Sequence, residues 1–170
     1  MKKQDGYTHV MHTFSPVYDE RSQVLILGSF PSVKSREHNF YYGHPQNRFW
    51  KVIAELTKEE VPQTIGQKKS LLLAHGIAVW DVIASCDIIG SSDSSIKNVT
   101  VNDLEQIYRT ADIQKVYANG TKAYDLYRKY MPKEQKDAIE KLPSTSPANA
   151  AWSLERLCET WSKVIAEYII

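Results

Sequence analysis

Three short stretches gather side chains whose types and spacing suit chemistry. FYYGHPQN, Phe40 to Asn47, sets two tyrosines, a histidine and an asparagine close together. A loop tyrosine can present a flat face to a planar ligand. The His44 imidazole can contact a ligand, and Asn47 offers a donor and an acceptor on one side chain. In GSFPS, Gly28 to Ser32, an apolar run ends in a tight turn whose Ser29 and Phe30 amides can meet a ligand. LPSTSPAN, Leu142 to Asn149, sets Ser144, Thr145 and Ser146 between two prolines. Small hydroxyls and helix-terminal amides suit phosphate oxygens.

Plainer readings stand beside each of these. Asn47 directly precedes a helical pattern and can serve as an N-cap. His44 can bond to backbone, Asn39 fits a turn, and Ser146 or Asn149 can cap the terminal helix. GSFPS is not a Walker loop, since no Gly-Lys-Ser/Thr follows, and it is not GxGxxG.

The elements that must position these loops are written as patterns. Val24 to Phe30, VLILGSF, has the continuous apolar character of a strand buried on both faces. Ile77 to Ile83 and Ile113 to Gly120 predict two more strands, and a short fourth breaks at Pro143. Phe49, Val52, Ile53 and Leu56 recur at helical spacing. GQKKSLLLAHG reads as a helix closed by Gly76, and VNDLEQIYRTA as one capped by Asn102 or Asp103. TKAYDLYRKY is helical as far as Met131-Pro132, KEQKDAIE adds a turn or two, and Leu154 to Tyr168 marks a terminal helix. CDIIGSSDSSIKNVT reads as a serine-rich polar loop. Strands alternating with helices predict an α/β fold: a three-layer αβα sandwich with a central, mostly parallel four-stranded sheet. Ligands of such folds lie beyond the carboxyl ends of the strands, where GSFPS, ANGTK and LPSTSPAN begin. One domain over 1–170 is expected, with 1–22 as an N-terminal arm.

Composition narrows the function classes. A net charge of +1 excludes a bulk polycation, so any nucleic-acid contact must come from local patches. Cys86 and Cys158 form no CxxC pair and have no histidine at ligand spacing, so neither a metal nor a cofactor is expected. Both thiols read as free and buried. No apolar run approaches the roughly 20 residues of a membrane span, and MKKQDGYTHVMHTFSPVYDE lacks a signal-peptide core. The chain is expected to be soluble, cytoplasmic and monomeric.

Together the loops resemble the uracil-DNA glycosylase superfamily. GHPQNRFWKVI is similar to the HPxNxFW segment of its mismatch-specific (G:T/U) branch. GSFPS stands in the place of that branch's GINPG, and LPSTSPAN in that of the second superfamily motif. PVYDERSQVLILGSFPS, YYGHPQNRFW, GIAVWDVIASC and NGTKA resemble the hypoxanthine-DNA glycosylase branch more closely. The likeness runs from Pro16 to the terminal helix.

The resemblance implies a metal-free, monofunctional enzyme acting on DNA that contains deaminated bases, chiefly hypoxanthine. It would flip the base out and hydrolyse its glycosidic bond through an oxocarbenium-like sugar, a reaction that needs donors on the leaving base and a positioned water. Carried onto this chain, it assigns Tyr42 to stacking on the base, with the Ser29 and Phe30 amides and Asn119 against it. Phe30 stands where the mismatch branch has a water-positioning Asn, and Leu142 where other branches have His or Asn. Neither side chain can hydrogen-bond. The catalytic role is therefore expected to move to Asn47, with His44 as a further candidate to stabilise charge on the base oxygen. Ser32, Lys34, Ser144, Thr145 and Ser146 are expected against DNA, and Pro147 in the space left by the flipped nucleotide. Arg36, Arg48, Lys122, Arg128 and Lys129 can meet phosphates or remain ordinary surface charges. Trp80 and Asp81 are expected to shape the pocket wall. Two other functions stay open: a uracil or G:T/U mismatch glycosylase, and a non-catalytic module that binds damaged DNA or a nucleotide.

Overall fold

The apolar run Val24–Gly28 is buried at every position and lies inside a parallel sheet, paired on both sides. A strand buried on both faces has no solvent side, so its apolar residues do not alternate. The computed structural model describes residues 6–170; the first five residues of the expected arm lie outside them. In chain order the elements are β1 (Thr8–Met11), β2 (Val24–Gly28), α1 (Val33–His38), α2 (Phe49–Thr57) and α3 (Ile65–Ala74). Then come β3 (Ile77–Asp81), β4 (Ile83–Ile88), β5 (Lys97–Val101), α4 (Glu105–Thr110) and β6 (Lys115–Asn119). Last are α5 (Thr121–Tyr130), β7 (Ile139–Leu142) and α6 (Leu154–Ile165).

The central sheet has the order β3-β2-β6-β7, and every pairing in it is parallel. Helices flank it, as the alternation of patterns predicts. After β2 the chain goes to one side to make β3, then returns to the other side to make β6. That reversal opens a crevice between the carboxyl ends of β2 and β6, where ligands of open α/β sheets bind. Register places Gly28 beside Asp81 and Asn119 beside Leu142 at those ends. The segments that follow β2, β6 and β7 therefore converge on one point. Beneath them α2 packs against α6, with Phe49, Val52 and Ile53 facing a core that includes Leu157, Trp161 and Ile165.

A second sheet is the main departure from expectation. β1, β4 and β5 form an antiparallel sheet in the order β1-β4-β5. It draws β1 from the supposed arm, and the second half of β4 and most of β5 from the supposed polar loop. The strand expected over Ile77–Ile83 is broken at Val82, where the chain leaves the parallel sheet and enters the antiparallel one. The Val82 amide still donates to Gly28 and the Ile83 amide to Ser29, at 2.8 and 3.1 Å, which welds the switch to the end of β2. KEQKDAIE forms turns and then leads into β7 instead of adding helix. Asp103, not Asn102, accepts from the first amide of α4; Asn102 donates to the Asp81 and Ile83 carbonyls. Asn39 adopts the left-handed conformation and closes α1 as a turn residue.

Candidate active site

At the sheet's carboxyl edge lies a cavity of about 320 Å³, within the size range of small-ligand sites. It gathers nearly all of the residues singled out from sequence: Ser29, Phe30, Ser32, Tyr42, His44, Asn47, Asn119 and Ser144 to Pro147. Lys34 does not line it; it is exposed on α1 and pairs with Glu37 at 3.4 Å. Ser91 and Asp93, from the serine-rich stretch, do line it. The Ser29 hydroxyl donates to Asp93 Oδ1 at 2.9 Å, and the Val33 amide donates to Ser91 Oγ at 2.8 Å. Both bonds clamp that stretch over the cavity mouth. Burial pushes the Asp93 carboxyl above its ordinary value, opposed by the Ser29 bond.

One hydrogen-bond chain fixes the site's polar geometry. Asn119 Oδ1 accepts the Thr145 amide and Asn119 Nδ2 donates to Thr145 Oγ1, both at 3.0 Å. With its lone pair used by Asn119, the Thr145 hydroxyl turns its own proton to Asn47 Oδ1, at 2.9 Å. The Phe49 amide also donates to Asn47 Oδ1 at 2.9 Å. Two donors on one atom identify that atom as the amide oxygen. Asn47 Nδ2 then has no partner among the described residues and remains a free donor at the cavity wall. The capping and ligand-facing readings of Asn47 are thus compatible, because they use opposite ends of one amide.

Other donors are set in the same way. His44 Nδ1 accepts the Gln46 amide at 3.0 Å, so a neutral imidazole carries its proton on Nε2. The Ser29 and Phe30 amides have no acceptor among the described residues, as expected for amides just past a strand end. Tyr42 stacks on Phe49 with ring centroids 4.0 Å apart and an interplanar angle of 20°. Its φ of +52° lies in the left-handed region, a strained setting for a bulky residue that the surrounding packing must hold. Tyr41, by contrast, belongs to the core, where its hydroxyl donates to the Ser15 carbonyl at 2.8 Å.

Asp81 and His12 form a buried pair at the same cavity. Asp81 is 3% exposed, and its Oδ2 accepts from His12 Nε2 at 2.8 Å. His12 follows β1 directly and is wedged among the rings of Phe14, Phe30 and Tyr41. Gly28 makes room for the carboxylate: a Cβ there would stand 2.5 Å from Asp81 Oδ1 and 3.1 Å from the Tyr42 hydroxyl. That hydroxyl is buried without a partner. Burial first, then the Asp81 charge, push its pKa well above the ordinary phenol value. The Asn119 amide lies close enough to oppose the shift, yet no properly directed hydrogen bond joins the two.

Two cations considered for DNA point inward instead. The Arg48 guanidinium donates to the carbonyls of Thr145, Ser146, Asn149 and Trp152, which binds the third loop to the start of α2. Arg36 donates to the Gly90 carbonyl at 2.6 Å and lies 5.7 Å from the Phe30 ring. Thr145 is fully buried, so it has nothing to offer a phosphate; its place in the chain of bonds explains why a small hydroxyl stands there. Ser144 Oγ accepts the Ser146 amide and Ser146 Oγ accepts the Ala148 amide. Each keeps its hydroxyl proton available. Ser32 caps α1 and donates to Ser35 Oγ. Sequence reading passed over His12 altogether: it sits in an unremarkable arm and is placed only by a strand pairing distant in sequence.

A cavity at the switch point of a parallel sheet, lined by stacked aromatics and oriented amide donors, is a setting for a planar, hydrogen-bonding ligand. A family model described as the uracil DNA glycosylase superfamily matches residues 15–167, and the chain belongs to that family, whose members hydrolyse N-glycosyl bonds in DNA. The chain is 35% identical over 155 residues to a protein of Methanosarcina acetivorans named hypoxanthine DNA glycosylase, covering 89% of this chain and 95% of that one. It is 34% identical over 113 residues to a Methanosarcina barkeri protein of the same name, covering 65% and 71%. A solution NMR structure of a Methanosarcina acetivorans protein, described as a candidate uracil DNA glycosylase, superposes with a TM-score of 0.77 at 31% identity. It covers 91% of this chain and 96% of that one. The family and fold read from the loops are both borne out. No described helix is long and apolar enough to cross a membrane.

Proposed function

We propose that the chain is a monofunctional DNA glycosylase that flips deaminated bases, chiefly hypoxanthine, out of DNA and removes them by hydrolysis. The observation that carries this reading is the Asn47 amide, whose oxygen is held by Thr145 and Phe49 so that Nδ2 is left as a donor at the cavity. In glycosidic cleavage the C1′–N bond breaks, the sugar gains oxocarbenium character and the departing base gains negative charge. Fixed donors aimed at that charge lower the barrier without reorganising. Asn47 Nδ2, the Nε2–H of His44 and the Ser29 and Phe30 amides are four such donors. Phe30 and Leu142 orient no water through their side chains, so stabilising the leaving base is assigned the larger share of catalysis.

Tyr42, already stacked on Phe49, serves as the ring against which the flipped base lies. Asn119 and Thr145 hold Asn47. The free hydroxyl protons of Ser144 and Ser146 meet a DNA phosphate, Ser32 lies at the same cavity, Pro147 fills the vacated space, and Lys34, exposed on α1 outside the cavity, meets the DNA backbone farther out. Flipping costs a few kcal/mol and least at a mispair, which favours damaged sites. The test is an excision assay on duplexes carrying inosine, uracil, a thymine mismatch or xanthine, with strand breaks read after alkali. Release of hypoxanthine with rates highest on inosine is expected. Absence of release at large enzyme excess, with binding retained, favours the non-catalytic module instead.

A further inference from the structure

The donors assigned above act on the departing base, and none of them can take a proton from water. The nucleophile is the other half of the reaction: it must approach C1′ and give up a proton as it bonds. Few side chains at the cavity can receive that proton. Asn47 Oδ1 already accepts from Thr145 and Phe49, and Asn119 Oδ1 from the Thr145 amide. His44 Nδ1 is spent on the Gln46 amide. The Asp81 carboxylate is buried and tied to His12. Phe30 and Leu142 have no acceptor to offer. The remaining carboxylate at the cavity is Asp93.

Asp93 stands where the cavity opens. It lines both the cavity and an adjoining groove that runs past Gly120, Ser144, Asn149 and Trp152, and the residue is open to solvent. The Ser29 hydroxyl donates to Oδ1 at 2.9 Å, which fixes the carboxylate to the end of β2. Oδ2 has neither a hydrogen bond nor an ion pair among the described residues. A nucleotide flipped from DNA keeps its sugar in the strand, so C1′ stays near the opening while the base goes further in. The carboxylate therefore belongs to the level of the sugar. Burial raises its pKa, the Ser29 bond and Lys122 oppose the rise, and the Asp81 charge adds to it. A carboxylate so held is a stronger base than one in open water.

We propose that Asp93 is the catalytic carboxylate of the water-attack step: its free Oδ2 holds the water against C1′, and its charge faces the cation that forms there. The assignment rests on the glycosylase reading and deepens it. As the C1′–N bond breaks, its electron pair leaves with the base, where the four donors receive it. A lone pair of the water oxygen forms the new C1′–O bond, and the water's proton passes to Oδ2. That proton then goes to solvent or to the departed base, which restores the carboxylate. The serine-rich stretch between β4 and β5 thereby supplies, from outside the parallel sheet, the polar group that position 30 lacks.

Asp93→Asn is the informative change, since its amide oxygen can keep the Ser29 bond while a neutral donor replaces Oδ2. Single-turnover excision of hypoxanthine should slow by about 100-fold. Rate alone does not separate chemistry from a loosened loop, so binding of the full chain is compared on two uncleavable duplexes. One carries a tetrahydrofuran abasic site, the other a pyrrolidine whose protonated nitrogen stands at the C1′ position. Wild type should bind the cationic duplex about tenfold more tightly, or better. Asp93→Asn should bind both alike, with its tetrahydrofuran affinity kept. Wild-type excision by the variant would overturn the proposal. So would a slow variant that still prefers the cation, which would mark Asp93 as a loop clamp, or equal losses of binding on both duplexes. Should the variant fail to fold, a wild type with no preference for the cation overturns the proposal alone. If wild type excises no base from any duplex, it is the glycosylase reading that fails; the two abasic duplexes still decide whether the Asp93 charge faces C1′.

Discussion

Thr145 Oγ1 donates to Asn47 Oδ1 at 2.9 Å, joining two loops 98 residues apart in the chain. The bond orients the Asn47 amide, and it holds only because Asn119 fixes the Thr145 hydroxyl from the other side. Thr145→Val keeps the shape and removes the hydroxyl, leaving both asparagines short of a partner. A destabilisation of about 2 kcal/mol is expected in urea unfolding, with at least a tenfold slower excision of hypoxanthine. Thr145→Ser should restore most of both. Unimpaired excision by Thr145→Val would show that the bond does not matter to the site.

Asn47 separates capping from catalysis when two variants are compared. Asn47→Ala removes both ends of the amide, at a cost of about 1 kcal/mol for the lost cap. Asn47→Asp keeps the acceptor for Thr145 and Phe49 but replaces the free donor with a second acceptor. Both should slow single-turnover excision by roughly 100–1000-fold, while the aspartate variant keeps a wild-type melting temperature. An active aspartate variant would return Asn47 to the role of a cap.

Gly28 tests how tightly the inner end of the cavity is drawn. The added methyl of Gly28→Ala would approach Asp81 Oδ1 to 2.5 Å, so the carboxylate must move. Overpacking of this kind costs about 1–3 kcal/mol. Inosine excision should fall at least tenfold at a temperature where circular dichroism shows the variant fully folded. Normal turnover would mean that the carboxylate can shift without consequence.

The two thiols should differ sharply in reactivity. Cys86 has no exposed surface, and its pKa is pushed up to about 11, chiefly by burial. At pH 8 only roughly one molecule in a thousand carries the thiolate that alkylating agents attack. Cys158 is half-buried, its pKa also raised by burial first and then by Glu55. Iodoacetamide at pH 8 should label the native protein slowly at Cys158 and reach Cys86 only after denaturation. Mass mapping that finds Cys86 modified first would contradict this packing.

The parallel sheet was legible because β2, β3 and β6 carry consecutive apolar residues through their middles, a pattern that survives without knowledge of neighbours. β4 and β5 were not, because IASCDI and KNVTV mix small, charged and β-branched residues, and only pairing with each other makes them strands. α1 was missed since its six residues carry no apolar stripe; a Ser32 cap and the left-handed Asn39 define it. The loops of the site could be named from composition, yet not the direction of their groups. Thr145 looks like a surface hydroxyl in sequence and is buried; Arg48 looks like a phosphate ligand and holds carbonyls. Asp81 sits within an apolar run, where its partner His12 lies 69 residues away.

The second sheet carries a consequence for anyone who trims this protein. β1 is short and largely exposed, and by burial alone it looks dispensable. It nevertheless delivers His12 to Asp81. A shortened chain that starts after residue 12 would retain every loop of the cavity and the whole parallel sheet, and could pass for intact in a folding assay. Its defect would lie inside the cavity, where the Asp81 carboxylate would be left buried without the imidazole that anchors it.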